Sequence, residues 1–241
     1  MTARNQDTVV LVRLAGELRF FAAPRHRREQ VRLHHDGTAS LGHVVQSLGV
    51  PLTEVGALVV DGVAVAPSHR PRPGAVVDVR PLERPQDSPR RFVLDVHLGA
   101  LARRLRLVGV DAAYRNDAHD DELIVQAARQ YRVLLTRDRG LLRRRALWSG
   151  AYVRGQRPLD QLTDVIDRFA LELRPWSRCP MCNGPLHGVT KDEVVDELEP
   201  GTRRCYDAFA RCGCCGRVYW RGAHARKLES TIEAARRARS G

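Results

Sequence analysis

Residues 91–110 read RFVLDVHLGALARRLRLVGV, and this stretch decides the fold of the middle of the chain. A short apolar run over residues 92–94 predicts a buried strand that ends at Asp95. The residues that follow have helical spacing at Leu98, Leu101, Leu105 and Val108. The stretch therefore predicts a strand followed by an amphipathic helix, with an acid where the strand ends.

The alternation of strand and helix continues toward the carboxyl terminus. DAAYRND (111–117) predicts a second strand, and DDELIVQAARQY (120–131) predicts a helix with acids in its first turn, where the helix dipole favours them. VLLTRDRGLL (133–142) predicts a third strand ending before Asp138, and GLLRRRAL (140–147) a further short helix. Alternating strands and helices are typical of a parallel-sheet α/β domain.

Acids lie at the ends of these predicted elements. Asp95 and Asp138 follow strands, and Asp120 and Asp121 begin a helix. Because sites in open parallel sheets form beyond the carboxyl ends of the strands, we expect Asp95, Asp120 and Asp138 to converge. Grouped carboxylates repel one another unless a cation compensates them, and Mg²⁺ or Mn²⁺ prefers oxygen ligands. Each acid alone is more typical of a helix cap or a turn, and it is the joint placement of the three that favours a metal site.

The chain is strongly basic, with a formal net charge of +12, and most of the excess lies after residue 88. Such a balance favours a partner that carries phosphates. Four arginines close to the acids are predicted to hold a nucleic-acid backbone: Arg103, Arg104, Arg137 and Arg139.

The N-terminal segment predicts a small α+β domain. VLVRLAGELRFF (10–21) predicts a strand, ASLGHVVQSLGV (39–50) a helix, and GALVVDGVAV (56–65) a hairpin that turns at Asp61 and Gly62. GAVVDVRPL (74–82) predicts a final strand.

Composition places the domain boundaries. The first domain is predicted over residues 1–82, followed by a proline-containing linker without apolar residues over 83–90. The α/β domain is predicted over 91–174, and a cysteine-containing region with a basic tail over 175–241.

All six cysteines lie in the last region, where two CxxC pairs predict a metal site. Cys179 with Cys182, and Cys212 with Cys215, supply four thiolates that close a tetrahedral structural Zn²⁺ site. The long connection between the pairs includes KDEVVDELEP (191–200), a predicted helical insert. Redox chemistry is the alternative, but no thioredoxin-like strand pattern precedes the cysteines.

The extra cysteines and the aromatic pair of this region each leave an alternative open. Cys205 and Cys214 are left over, and Cys214 could replace a neighbouring ligand. Tyr219 and Trp220, followed by Arg221, are typical either of stacking on unpaired bases or of covering the small core of a ribbon.

Residues 92–147 resemble the Mut-seven C-terminal (Mut7-C) ribonuclease family, a branch of the PIN-like nucleases, in the motifs LDVHLG, YRND, DDEL and LLTRDRGLL. RCPMCNGPL and CGRVYWRGAHARKLE resemble the same family, from which the extra Cys205 and Cys214 depart. The resemblance implies a metal-dependent ribonuclease with its acidic site at Asp95, Asp120 and Asp138. Asp121 stands where the family more often has glutamate, and Asp117, in YRND, is a peripheral candidate.

The N-terminal segment resembles the β-grasp sulfur carriers of thiamine and molybdopterin synthesis, which share the ubiquitin fold. Those carriers end in a free Gly-Gly carboxylate, whereas this segment continues into the linker, so a sulfur-carrier role is disfavoured. A docking or regulatory role is expected instead, with a protein partner binding the ubiquitin-like domain.

Taken together, these patterns predict an α/β protein with an N-terminal β-grasp domain, a central PIN-like domain and a C-terminal zinc ribbon. The predicted function is Mg²⁺- or Mn²⁺-dependent hydrolysis of RNA. The alternatives are a non-catalytic RNA-binding or ribosome-associated module and, less favoured, a partner in sulfur transfer. No apolar run approaches the length of a membrane span and the start is polar, so we expect a cytoplasmic protein.

Overall fold

The computed structural model describes residues 9–222 and residue 233. Residues 1–8 of the predicted first domain lie outside the described residues. So does the predicted basic tail over 223–241, apart from residue 233.

The N-terminal region forms a five-stranded mixed sheet in the order β2-β1-β5-β3-β4, in which β1 and β5 are parallel and the other neighbours antiparallel. Its elements are β1 (Val9–Leu14), α1 (Gly16–Arg19), β2 (Gln30–His34), α2 (Leu41–Ser47), β3 (Val55–Val60), β4 (Val63–Val65) and β5 (Val76–Pro81). The sheet with its helix agrees with the ubiquitin-like fold predicted from the sequence.

The predicted hairpin and helix of this region are confirmed. Asp61 and Gly62 have φ values of 49° and 87°, and positive φ at both central positions is typical of a two-residue type I′ hairpin turn. Ser40 begins α2 by accepting a hydrogen bond from the backbone N–H of His43, at 3.4 Å.

The strand predicted over 10–21 is wrong in its second half. β1 ends at Leu14, and the next residues form the short helix α1. The reason lies in the spacing of the buried side chains Leu14, Leu18 and Phe21, which are four and three residues apart, as on one face of a helix. The strand β2 was not predicted at all.

The central region alternates strands and helices, in the strand order β7-β6-β8-β9. β6 and β7 are parallel, with Arg91 opposite Asp111. The elements are β6 (Arg91–Leu94), α3 (Gly99–Leu107), β7 (Asp111–Tyr114), α4 (Asp120–Arg129), β8 (Val133–Thr136), α5 (Arg139–Leu142), β9 (Gly150–Tyr152) and α6 (Pro158–Phe169). This confirms the parallel-sheet α/β prediction.

Two details of the central region differ from the sequence prediction. The helix predicted over 140–147 is only one turn, α5, because the residues three and four positions after Leu141 are arginines that supply no apolar face. β9 and α6 were not predicted.

The cysteine region folds as a three-stranded antiparallel ribbon in the order β10-β11-β12. Its elements are β10 (Leu186–Val189), α7 (Pro200–Cys205), β11 (Phe209–Cys212) and β12 (Val218–Trp220). The helix predicted over 191–200 is wrong. That segment forms only a 3₁₀ turn (Val195–Glu197), and α7 begins at Pro200, where a residue without an N–H is best tolerated.

The chain divides into two compact units. The first contains the described part of Met1–Gln86 together with Leu135–Tyr152, and the second contains Asp87–Leu134 together with the described part of Val153–Gly241. Among the helices of the described residues, none is both long and apolar enough to cross a membrane.

Candidate functional site

The four predicted cysteine ligands come together. The Sγ atoms of Cys179, Cys182, Cys212 and Cys215 all lie within 4.8 Å of one another. Cys179 is 3.7 Å from Cys215, and Cys182 is 3.4 Å from Cys212. A tetrahedral zinc ion with Zn–S bonds of about 2.3 Å needs sulfur atoms roughly 3.8 Å apart. The cluster therefore fits a metal ion such as zinc.

The backbone around the cysteines is shaped for this cluster. A Cβ at Gly184 would lie 2.7 Å from the Sγ of Cys214 and 3.2 Å from that of Cys212, so a side chain has no room there. The backbone N–H groups of Cys214 and Cys215 both donate to the Sγ of Cys212, each at 3.4 Å. Such donors stabilise a thiolate, as metal binding requires.

The four thiols do not ionise alike. Burial opposes ionisation of Cys179, but hydrogen bonds from the Tyr219 hydroxyl and from backbone N–H groups outweigh it and lower the pKa of Cys179 to about 6. Burial and the neighbouring sulfur of Cys212 raise the pKa of Cys182 to about 12. Thiolates repel one another when no positive charge compensates them, so a cation among the four sulfur atoms would favour ionisation of all four thiols.

The two remaining cysteines are not part of this group. Cys205 and Cys214 are exposed, and neither belongs to the four-residue cluster.

A polar network joins the first cysteine pair to strand β7. The Asn183 side chain donates to Asp111 Oδ1 at 2.8 Å and accepts from the backbone N–H of Ala112 at 3.1 Å. The buried Arg106 donates to the carbonyl oxygens of Ala112, at 2.8 Å, and Met181, at 2.7 Å. The sequence does not predict this network, because no pattern distinguishes Arg106 from the other arginines of its helix.

Asp111 is the centre of this network. Its carboxylate is 2.6 Å from the guanidinium of Arg132 and 3.4 Å from that of Arg178. Burial alone would raise the pKa of Asp111, but the hydrogen bonds from Arg132 and Asn183 outweigh it and lower that pKa. The ionised form is therefore the one that the fold selects.

The predicted acids of the second compact unit lie at element ends. Asp95 directly follows β6 and is only 5% exposed. Asp120 and Asp121 are exposed in the first turn of α4. The helix is capped instead by His119, whose backbone N–H donates to the Glu122 carboxylate at 3.0 Å. Asp120 is therefore not the cap that its position also allowed.

Asp138 lies in the first compact unit, two residues after β8, and caps α5. Its Oδ1 accepts the backbone N–H groups of Gly140, at 2.6 Å, and Leu141, at 3.3 Å. Its own N–H donates to the Thr136 hydroxyl at 2.9 Å. The hydrogen bonds from Gly140 and Leu141 both go to Oδ1, and neither goes to Oδ2. The convergence of Asp138 with Asp95 and Asp120 on one metal stays a prediction.

The predicted RNA-binding arginines have different surroundings. Arg104 donates to the carbonyl of Ala100 in its own helix, at 3.3 Å. The guanidinium carbon of Arg139 lies 4.2 Å from the ring centre of Phe20. Arg103 is exposed and lines an open cleft of about 420 Å³.

The cleft beside Arg103 also contains the aromatic pair of the ribbon. Arg217, Tyr219 and Trp220 contribute to its walls. The Tyr219 hydroxyl lies 3.1 Å from Cys179 Sγ, so this tyrosine supports the ribbon. Trp220 is 37% exposed and lies at a tilt beside Tyr206, with ring centres 6.4 Å apart.

Two family models match the chain. The Mut7-C RNAse domain matches residues 90–232, and the Mut7-C ubiquitin domain matches residues 7–87. The chain belongs to the Mut7-C RNAse domain family. Comparisons with curated proteins and with solved structures give no significant match.

The Mut7-C match explains why the ribbon is joined so closely to strand β7. Because the match runs through both the central region and the cysteines, the two form one domain of the family. The Mut7-C RNAse domain supports ribonuclease activity, and with it RNA as the substrate class.

Proposed function

We propose that this chain is a Mg²⁺- or Mn²⁺-dependent, PIN-like ribonuclease that hydrolyses phosphodiester bonds at Asp95, Asp120 and Asp138, with Asp121 as an accessory acid. The match of residues 90–232 to the Mut7-C RNAse domain carries the proposal. The positions of the acids support it, because Asp95 and Asp138 follow strands of a parallel sheet and Asp120 begins a helix.

The chemistry of the donors suits a hard divalent cation. Carboxylate oxygens are the ligands that Mg²⁺ and Mn²⁺ prefer, and such an ion supplies an activated water and stabilises the charge that develops on the phosphate. The chain's contribution is to orient the carboxylates. Asp138 is held through Oδ1 by two backbone N–H groups, so its side chain keeps one rotamer.

The RNA is held by arginines and by the cleft beside α3. Among the described residues, Arg103 and Arg217 have no ion-pair partner, so both guanidinium groups are available for phosphates. The half-exposed ring of Trp220 offers a face on which an unpaired base can stack. We also assign Arg104, Arg137 and Arg139 to backbone contacts, since stacking on Phe20 uses the face of the Arg139 guanidinium and leaves its N–H edge.

The cysteine cluster holds a structural zinc ion in this proposal. Four thiolates close the coordination sphere and leave no position for water or substrate. Its role is to hold the ribbon, and with it Trp220, against the cleft.

A cleavage assay tests the ribonuclease activity. The purified chain is incubated with structured and single-stranded RNA in Mn²⁺ or in EDTA, and compared with Asp138→Asn. The matched control is Asp207→Asn, whose carboxylate is 89% exposed and pairs with Lys191. Cleavage in Mn²⁺ by wild type and the control, and its loss in EDTA and in Asp138→Asn, is the expected result. Equal cleavage by Asp138→Asn would refute the acidic site.

The cleft favours one second candidate, a non-catalytic RNA-binding module. Arginines and a half-exposed tryptophan are sufficient for binding without any acid. If RNA binds but is not cut under any metal condition, this candidate replaces the ribonuclease.

A further inference from the structure

The segment that carries Asp138 belongs to the same compact unit as the ubiquitin-like domain. Leu135–Tyr152 clusters with the N-terminal residues, although the sequence places it in the nuclease domain. The contacts within this unit are specific, and they involve both ends of the segment.

A buried carboxyl group holds the far end of the segment. Glu54 is only 6% exposed, and its Oε1 accepts the backbone N–H of Tyr152 at 2.8 Å. Burying a carboxyl group is costly unless it is hydrogen-bonded. This hydrogen bond joins Glu54 to strand β9, to which Tyr152 belongs.

An aromatic cluster holds the near end. The rings of Phe20, Phe21 and Tyr152 meet edge to face, with centres 5.1 to 5.3 Å apart. The Arg139 guanidinium lies over Phe20 at 4.2 Å. Arg139 directly follows Asp138 and is the first residue of α5. A contact at Arg139 therefore acts on the turn that orients the Asp138 carboxylate.

The segment needs such support. α5 has only four residues, and a single helical turn is not stable by itself. Gln46 contacts the middle of the segment, since its Nε2 lies 3.5 Å from the carbonyl oxygen of Arg143.

We infer that the ubiquitin-like domain acts as an internal clamp on this segment, with Phe20 and Glu54 as positioning residues for Asp138. The docking role expected of this domain is then carried out within the chain. The catalytic part of the inference rests on the proposed function, whereas the clamp itself does not.

The test uses the full chain with substitutions at both contacts. Phe20→Leu keeps an apolar side chain but removes the ring, and Glu54→Ala removes the acceptor for Tyr152. Glu54→Gln is the conservative variant, since its amide oxygen still accepts that hydrogen bond. Val63→Ala is the matched control, because Val63 lies on β4 of the same sheet and is 66% exposed.

The first readout is amide hydrogen exchange of residues 138–152, which does not depend on activity. We expect Phe20→Leu and Glu54→Ala to speed exchange there by about tenfold or more, with Glu54→Gln and Val63→Ala close to wild type. Melting curves of all variants show whether exchange rises locally or by global unfolding. Unchanged exchange in both contact variants would overturn the clamp.

The second readout is kinetic. A misplaced Asp138 lowers kcat, so we expect a loss of about tenfold in the two contact variants and rescue in Glu54→Gln. KM for RNA should stay within about twofold of wild type in Glu54→Ala, whereas Phe20→Leu should also raise KM, because it removes the ring on which the RNA-contacting Arg139 stacks. Faster exchange without a loss of kcat would overturn the positioning role. If wild type cuts no RNA, the proposed function fails, while the exchange experiment still decides the clamp.

Discussion

At the scale of single residues, Asp138 has an observed role as the cap of α5 and a proposed role as a metal ligand, and a substitution can separate the two. Its Oδ1 caps α5 by accepting two backbone N–H groups, and asparagine caps helices about as well, since its amide oxygen is also an acceptor. A neutral amide is a poor ligand for a hard cation. Gly140 belongs to the same arrangement, because a Cβ there would lie 3.0 Å from that oxygen.

We therefore expect Asp138→Asn to keep the fold and lose the activity. Its free energy of unfolding should stay within about 0.5 kcal/mol of wild type, whereas Asp138→Ala, which removes the cap, should lose about 1 kcal/mol. RNA cleavage should fall by about 100-fold or more in both variants. Denaturant titration and cleavage rates provide the measurements. An asparagine variant as unstable as the alanine variant would contradict the cap.

Asp111 is the second residue whose charge matters. Because its pKa is lowered in the folded chain by Arg132 and Asn183 against the effect of burial, its ionised form stabilises the fold above its ordinary unfolded value of about 3.9. That stabilisation is lost as the pH falls from there through the lower, folded value.

Asp111→Asn should thus destabilise the chain by about 3 kcal/mol at pH 7, because it leaves Arg132 buried without its partner. The difference from wild type should shrink below about pH 4, where the wild-type carboxylate is protonated as it unfolds. Urea unfolding at several pH values measures the loss of stability at pH 7 and its dependence on pH. Asp78→Asn is the control, since its surface pair with Arg13 at 3.7 Å should matter by less than about 1 kcal/mol. A pH-independent difference at Asp111 would contradict the assignment.

At the scale of elements, the ribbon is too small to hold itself. Among the described residues, its strands pack on a small hydrophobic cluster of Val194, Leu198 and Phe209, with a few partly buried neighbours. So small a core does not offset the loss of chain entropy without a metal or a disulfide. The four cysteines and the network at Asp111 supply what the core lacks.

Removal of zinc should therefore unfold the ribbon. We expect one zinc ion per chain by elemental analysis, its loss in Cys182→Ser, and loss of the ordered signal of Trp220 in near-ultraviolet circular dichroism. Cys205→Ser is the matched control, because this exposed cysteine lies outside the cluster and its loss should leave the zinc content unchanged. A ribbon that stays folded after chelation would remove the structural role of the metal.

At the scale of the whole molecule, two features matter: the net charge and the order in which the chain passes through the two compact units. The chain carries a net charge of +12, which attracts RNA without regard to its sequence. It also enters each compact unit twice, since residues 135–152 return to the N-terminal unit before the chain continues in the second. The nuclease sequence is thus not a self-contained segment of the chain.

The charge predicts salt-dependent binding. The affinity for RNA should fall steeply as salt rises, and Arg103→Ala should reduce the slope of log affinity against log salt by about 1 if it contacts one phosphate. Binding isotherms at several salt concentrations measure the slope. Arg80→Ala, an exposed arginine of β5, is the control and should change it little. Equal effects of both variants would refute a dedicated contact at Arg103.

Features that depend on near neighbours along the chain can be predicted from the amino-acid sequence. The apolar spacing of α3, the Asp-Gly turn between β3 and β4 and the two CxxC pairs are local patterns, and the structure has them where the sequence predicts them. The helix α1 also has a local signal, since the apolar residues Leu14, Leu18 and Phe21 have helical spacing.

Contacts between residues far apart in the chain are visible only in the folded protein. Asn183 reaches Asp111 across 72 residues, and Glu54 reaches Tyr152 across 98. No periodicity links such partners, because the free energy of each hydrogen bond depends on burial that forms only when the chain has folded. For the same reason, the sequence placed Asp138 at the end of a strand, and only the fold revealed that the ubiquitin-like domain packs against the segment that carries it.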